Sequence, residues 1–194
     1  MSTVAPPRTY SPQDLLKMPD GDRFELVDGH LVEHTMSAWS SYVGGVVYQM
    51  MDSHARAKQL GWVLPEGTTF QCFPDDPNKV RRADVSFFSL ERLSVEQAMS
   101  EGHLRIAPDL AVEVVSPNDL LYKVHEKIQD FLKAEVKLVW VVDPQARFVE
   151  VHRPRGAGTI LREHDFLEGE DVLPGFRCRV GDLFLPPVGA KVSS

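Results

Sequence analysis

Between residues 108 and 143 the hydrophobic period of the chain switches twice. Leu110, Ala111, Val112, Val114 and Val115 form a near-continuous apolar run that Ser116-Pro117-Asn118 ends, the pattern of a strand covered on both faces. In "DLLYKVHEKIQDFLKAE" the apolar positions Leu121, Val124, Ile128, Phe131 and Leu132 recur at helical spacing. "LVWVVD" then returns to an apolar strand. Strand, helix and strand in that order predict a parallel pair joined by a right-handed crossover.

Upstream, "FELVDGHLVEHT" predicts a hairpin turning at Asp28-Gly29. In "SSYVGGVVYQMMDSHARAK" the residues Val43, Val46, Val47, Met50 and Met51 predict a helix, with Ser40 or Ser41 as N-cap. Gly44-Gly45 weakens that helix by about 1 kcal/mol per glycine relative to alanine, which suggests close packing against a neighbour. "GWVLPEGTTFQCF" reads as extended chain broken by Pro65-Glu66-Gly67, and the polar loop "PDDPNKVRR" leads into a strand "DVSFFS". A short helix is expected at "SVEQAM". "FVEVHR" should pair with "LVWVVD" through a turn containing Pro144, and short strands should follow through "PGFRCRVGDLF".

These elements make an α/β fold: a mixed β-sheet flanked by helices, with additional hairpin strands at its N-terminal and C-terminal ends. Residues 1–12 are expected to form a loose Pro- and Ser-rich arm, 13–185 a single domain and 186–194 a tail. GxGxxG and GxxxxGK[ST] patterns are absent from the sequence, which argues against a dinucleotide or nucleoside-triphosphate site.

Composition changes this picture little. A net charge of -7 over 194 residues argues against broad adhesion to nucleic acid or anionic membrane, yet leaves room for a local basic groove. Cys72 and Cys178 stand far apart without CxxC spacing, so a structural zinc is not expected. With no apolar stretch long enough for a bilayer and no hydrophobic leader, the expectation is a cytoplasmic protein without a membrane partner.

The chemistry centres on Glu113. Strand parity sets it on one face with Ala111 and Val115, and an isolated carboxylate there costs several kcal/mol or takes up a proton. A basic partner or a metal ion would relieve it. Asp84, opening "DVSFFS", is the nearest candidate neighbour. Two carboxylates about 5 Å apart repel by about 3 kcal/mol at an effective dielectric of 20. Such a pair, with water and the Val114 carbonyl, suits Mg²⁺ or Mn²⁺. On the following helix Lys127 lies about 90° from the centre of the apolar stripe, within reach of the acids. It could position a water or stabilise charge on a phosphate. The alternative is a snorkelling boundary lysine beside a buried structural acid paired with an arginine. Asp109, on the same strand face as Glu113, reads as a turn or cap residue.

The order of helix, strands, Asp84, Glu113 and helix resembles the PD-(D/E)XK nuclease superfamily, and more closely its large bacterial restriction endonuclease family. "RRADVSFF", "APDLAVEVVSPND", "EKIQDFLKAEVKLVWVVDP" and the closing "PGF" carry the resemblance over nearly the whole chain. It implies a restriction-endonuclease-like fold and metal-dependent hydrolysis of DNA phosphodiesters. Asp84 and Glu113 match the two motif acids, with Ala83 in place of the usual proline. Val115 stands where the superfamily commonly has lysine, so the resemblance moves that role to Lys127. No acid occurs between residues 40 and 51, where many members carry one on the first helix. Glu33 or Glu25 of the hairpin would substitute, or both are solvated hairpin residues. Lys79, Arg81 and Arg82 could grip the phosphate backbone, or form a solvated loop. A homodimer would suit cleavage of both strands of a duplex. Two other readings remain open: a nuclease-derived DNA-binding or assembly module without catalysis, and a nuclease acting on RNA.

Overall fold

The computed structural model describes residues 9–190. In chain order its helices and strands are α1 (Pro12–Lys17), β1 (Phe24–Val27), β2 (His30–Glu33), α2 (Ala38–Lys58), β3 (Gly61–Pro65), β4 (Thr69–Phe70), β5 (Arg81–Arg82) and β6 (Val85–Ser89). They continue as α3 (Val95–Ala98), β7 (Leu110–Val114), α4 (Leu121–Lys133), β8 (Leu138–Asp143), β9 (Phe148–His152), β10 (Thr159–Arg162), β11 (Phe166–Glu168) and β12 (Arg177–Arg179).

The central sheet runs β10-β9-β8-β7-β6-β3. β7 and β8 are parallel neighbours on either side of α4, as the switch of period predicts, and the other adjacent strands are antiparallel. β1 with β2, β4 with β5 and β11 with β12 form three small two-stranded sheets. The mixed α/β sheet and its extra hairpin strands therefore follow the expected plan.

Strand parity divides the core in two. Val112, Val114, Trp140 and Val142 pack with Val43, Val47 and Met51 of α2 on one face. Ala111, Val139 and Val141 pack with Ile128 and Phe131 of α4 on the other. Glu113 points to the α4 side, since successive strand residues alternate faces.

Several local expectations are corrected. α2 begins at Ala38 and its cap is Ser37, whose side chain accepts the Ser40 N–H. Ser40 faces inward and donates its hydroxyl to the Val115 carbonyl at 3.0 Å, tying α2 to the end of β7. The glycine pair does not mark a close approach. A Cβ on Gly45 would meet nothing within 4 Å, and one on Gly44 would touch Val114 and Met36 at an ordinary 3.8 Å. Leu121, placed in the apolar stripe of α4, is instead 85% exposed at the first turn. Asp109 makes no local turn; it accepts the Ser89 N–H and the Lys137 ammonium, pinning β6 to β7.

Of the arm expected over 1–12, residues 1–8 lie outside the described residues. Tyr10 is held, its N–H donating to the Gly29 carbonyl, and Ser11 with Asp14 forms a capping box on α1. Of the tail, 191–194 lie outside the described residues. No described helix is long and apolar enough to cross a membrane.

Candidate active site

The site is assembled from three directions: the end of β7, the face of α4 and the β1–β2 hairpin. The hairpin turns through Asp28 and Gly29, both at positive φ (50° and 75°), the backbone a two-residue type I′ turn demands. Its register pairs Phe24 with Glu33 and Glu25 with Val32, which puts Glu25 and Glu33 on opposite faces. A bridge between Leu26 and Val80 docks the hairpin beside the segment carrying Lys79, Arg81 and Arg82. Glu25 is thereby carried inward, whereas Glu33 stays half-exposed and pairs with Arg23.

Lys127 bridges two acids. Its Nζ lies 2.7 Å from Glu113 Oε2 and 2.8 Å from Glu25 Oε1, and all three residues are buried. Glu25 also accepts from the Arg81 guanidinium and from the Arg82 N–H, each at 2.9 Å. Asp130, one turn beyond Lys127 on α4, accepts from Lys79 Nζ at 2.6 Å and from Arg81 Nη2 at 2.6 Å. A continuous chain of alternating charge thus runs from Glu113 through Lys127, Glu25, Arg81 and Asp130 to Lys79.

Asp84 precedes β6. Extending the β6–β7 register, in which Val85 faces Val112, sets it opposite Glu113. One of its oxygens accepts the Val114 N–H at 2.5 Å; the other lies 3.1 Å from His34 Nε2. A cavity of about 510 Å³ opens onto this region, with Glu25, His34, Glu113, Val114, Lys123 and Lys127 in its wall. Asp84 is not in that wall, but its partner His34 is.

The electrostatics follow from this geometry. Burial pushes the Glu113 carboxyl well above its ordinary range, opposed by Lys127 and reinforced by Asp84 and Glu25. Burial likewise raises Asp84. Burial works against ionised Glu25 too, but Lys127 and Arg81 more than offset it and bring its pKa down to about 2. Lys127 is raised: the acids around it, Glu113 foremost, outweigh the desolvation that opposes its charge. It is a permanent cation near neutrality, suited to donating hydrogen bonds and not to removing a proton.

Three observations bear on a metal ion. Glu113 Oε1 is buried without a hydrogen-bond partner. Two carboxylates held above their ordinary pKa range sit in the position a hard divalent cation relieves. Against this, among the described residues no three His, Cys, Asp or Glu side chains are gathered into a metal-binding cluster. The donor set fits an ion that keeps several waters, as Mg²⁺ does.

The structure brings Glu113, Lys127 and Glu25 into direct contact and sets Asp84 beside them. Glu33 reaches the same cavity wall but pairs with Arg23, so of the two hairpin acids Glu25 is the one in direct contact with Lys127. Lys79, Arg81 and Arg82, expected at a cleft edge, are buried, and their charges or N–H groups are committed to Asp130, Glu25 and the carbonyls of Asp22 and Gly67. Asp130 and the His34–Asp84 contact were missed. An acid between Ile128 and Phe131 on the buried side of α4 was the available signal for Asp130.

The family model described as "Putative restriction endonuclease" (Uma2) matches residues 12–181. Among solved structures, a putative nuclease belonging to DUF820 from Anabaena variabilis ATCC 29413 shares the fold, with a TM-score of 0.76 and 21% identity over 90% of this chain and 97% of that one. No curated protein matches the chain. With its full β1-to-β12 span inside the matched residues, the chain belongs to the Uma2 putative restriction endonuclease family.

Proposed function

We propose that this protein is a metal-dependent endonuclease that hydrolyses DNA phosphodiester bonds, with Asp84, Glu113 and the Val114 carbonyl holding Mg²⁺ or Mn²⁺. The observation that carries the reading is Lys127 Nζ at 2.7 Å from Glu113 Oε2 while Glu113 Oε1 is left buried and unpartnered. A lysine and an acid with a spare oxygen meet at one cavity wall, and a second acid, Asp84, stands behind it across the strand pair. The ion, when bound, supplies Lewis-acid polarisation of a phosphoryl oxygen and lowers the pKa of a bound water.

The rest belongs to the chain's own residues. Lys127, cationic across the physiological range, donates to the attacking water or to a non-bridging phosphate oxygen. Glu25, ionised at neutral pH, holds Lys127 at the height of Glu113 and is in turn held by Arg81. Val114 fixes Asp84 through its N–H. Lys123, exposed in the cavity wall, is placed to meet a neighbouring phosphate. Cutting both strands of a duplex suits a homodimer, and the cytoplasm is the expected setting.

One observation favours the assembly form of the second reading, a module without catalysis: three basic residues near the site are turned into the protein. A single panel separates the two. Purified protein is incubated with plasmid, linear duplex and single-stranded DNA, with Mg²⁺, Mn²⁺ or chelator, beside Glu113→Gln and Lys127→Met. Metal-dependent cleavage lost in both variants supports the nuclease; wild type no more active than Glu113→Gln on every substrate overturns it. The same panel with RNA tests that substrate class.

A further inference from the structure

We propose that His34 is itself a ligand of the divalent ion, so that the site binds Mn²⁺ and Co²⁺ more tightly than Mg²⁺. This rests on the metal site proposed above and names its selectivity.

The first support is position. His34 lies in the cavity wall and Asp84 does not, yet the two touch, so an ion reaching Asp84 from the cavity meets the imidazole there. The second is spacing. Two donors bound side by side to an octahedral ion at about 2.1 Å each stand about 3.0 Å apart. His34 Nε2 and Asp84 Oδ1 are 3.1 Å apart, the edge such an ion would span. The third is Glu113, in the same cavity wall, whose buried Oε1 has no partner; since the described residues form no three-ligand cluster, a water kept on the ion would link this oxygen to the His34–Asp84 edge.

The backbone that carries the imidazole is also held in place. The His34 N–H donates to the Arg23 carbonyl at 2.8 Å, which fixes the backbone just beyond β2. With its proton on Nδ1 the ring offers Nε2 as a lone pair. Glu66, half-exposed on the turn after β3, lies 3.9 Å from the same nitrogen, where it can accept from a water on the ion.

Donor chemistry sets the selectivity. Mg²⁺ is hard and keeps oxygen ligands and water, whereas imidazole nitrogen favours the transition ions. A site of carboxylates alone would discriminate little. One nitrogen in the set tilts it toward Mn²⁺ and Co²⁺.

The test is calorimetric titration of Mn²⁺, Co²⁺ and Mg²⁺ into the full chain and into His34→Gln, whose amide keeps a hydrogen bond to Asp84. Pulsed electron paramagnetic resonance of the Mn²⁺-loaded wild type supplies a reading that needs no variant. The expected result is ¹⁴N modulation from one imidazole in the wild type. In His34→Gln that modulation disappears, and Mn²⁺ affinity falls at least about tenfold while Mg²⁺ affinity changes little. Mn²⁺ bound without imidazole modulation, or a Mn²⁺/Mg²⁺ preference unchanged in His34→Gln, overturns the inference and leaves the metal site standing. No binding of any of the three ions to wild type overturns the metal site itself, and this proposal with it.

Discussion

Replacing Lys127 by methionine keeps the length of the side chain and removes its charge. Lys127 meets Glu113 at 2.7 Å and Glu25 at 2.8 Å, and each contact carries about 6 kcal/mol of Coulomb attraction at an effective dielectric of 20. Desolvation of three buried groups cancels most of that, and deleting one partner of a buried pair typically leaves a deficit of about 3–5 kcal/mol. Arg81 still neutralises Glu25 in the variant, but Glu113 and Asp84 are left facing each other without a cation. For a chain of this size the deficit corresponds to a melting temperature about 6–20 °C below wild type at pH 7. Lys127 is the charge that draws Glu113 downward, so in its absence Glu113 titrates higher still. A carboxyl raised in the folded state contributes stability below its unfolded pKa and loses it as pH rises through the folded value. The variant's deficit must therefore be larger at pH 8 than at pH 5. Thermal unfolding of the metal-free protein at both pH values, followed by circular dichroism, measures it. Adding Glu113→Gln to Lys127→Met should recover at least about 1 kcal/mol, because the amide mimics the protonated acid. A single variant within about 1 kcal/mol of wild type at pH 7, or a deficit that grows on acidification, refutes the argument that Lys127 holds two buried acids.

The remaining expectations bear on parts of the same network and on α2. Glu113→Gln alone should raise metal-free stability at neutral pH and flatten its decline above pH 4.5, while abolishing Mn²⁺ binding; urea midpoints at pH 5 and 8 with calorimetry check both. Asp130→Asn strands Lys79 and Arg81 and should destabilise by about 3–5 kcal/mol in urea melts, with Mn²⁺ affinity barely changed. Gly45→Ala, in an exposed helical position with open space for a Cβ, should raise stability by about 1 kcal/mol in the same melts.

The part of the site that could be read from the chain is the part built by local periodicity. Period 2 along β7 decides that Glu113 shares a face with Ala111, and period 3.6 along α4 decides that Lys127 borders the apolar stripe. Because β7, α4 and β8 are consecutive and pack on one another, those two local rules suffice to bring Lys127 to Glu113 across 14 residues. Hairpin parity has the same power within β1 and β2, and it separates Glu25 from Glu33. It does not say which of the two faces the protein. That is decided by the bridge from Leu26 to Val80, a contact between residues more than 50 positions apart that no local pattern records.

The basic segment shows why charge alone misleads. "NKVRR" reads as a phosphate grip because lysines and arginines are seldom buried unless paired. The pairing acids, Glu25 and Asp130, lie 56 residues before and 49 residues after Arg81, so a reader of the chain sees cations without their partners. Once paired, these side chains are poorly placed to release condensed counterions from DNA, since each would have to give up a buried carboxylate first. Their work is instead mechanical. Arg81 holds Glu25, Glu25 holds Lys127, and Asp130 fixes Arg81 from the helix that carries Lys127. The cations at the protein's interior thus set the position of the one at the cavity, and under the proposed nuclease function a grip on the nucleic-acid backbone would fall to exposed residues such as Lys123.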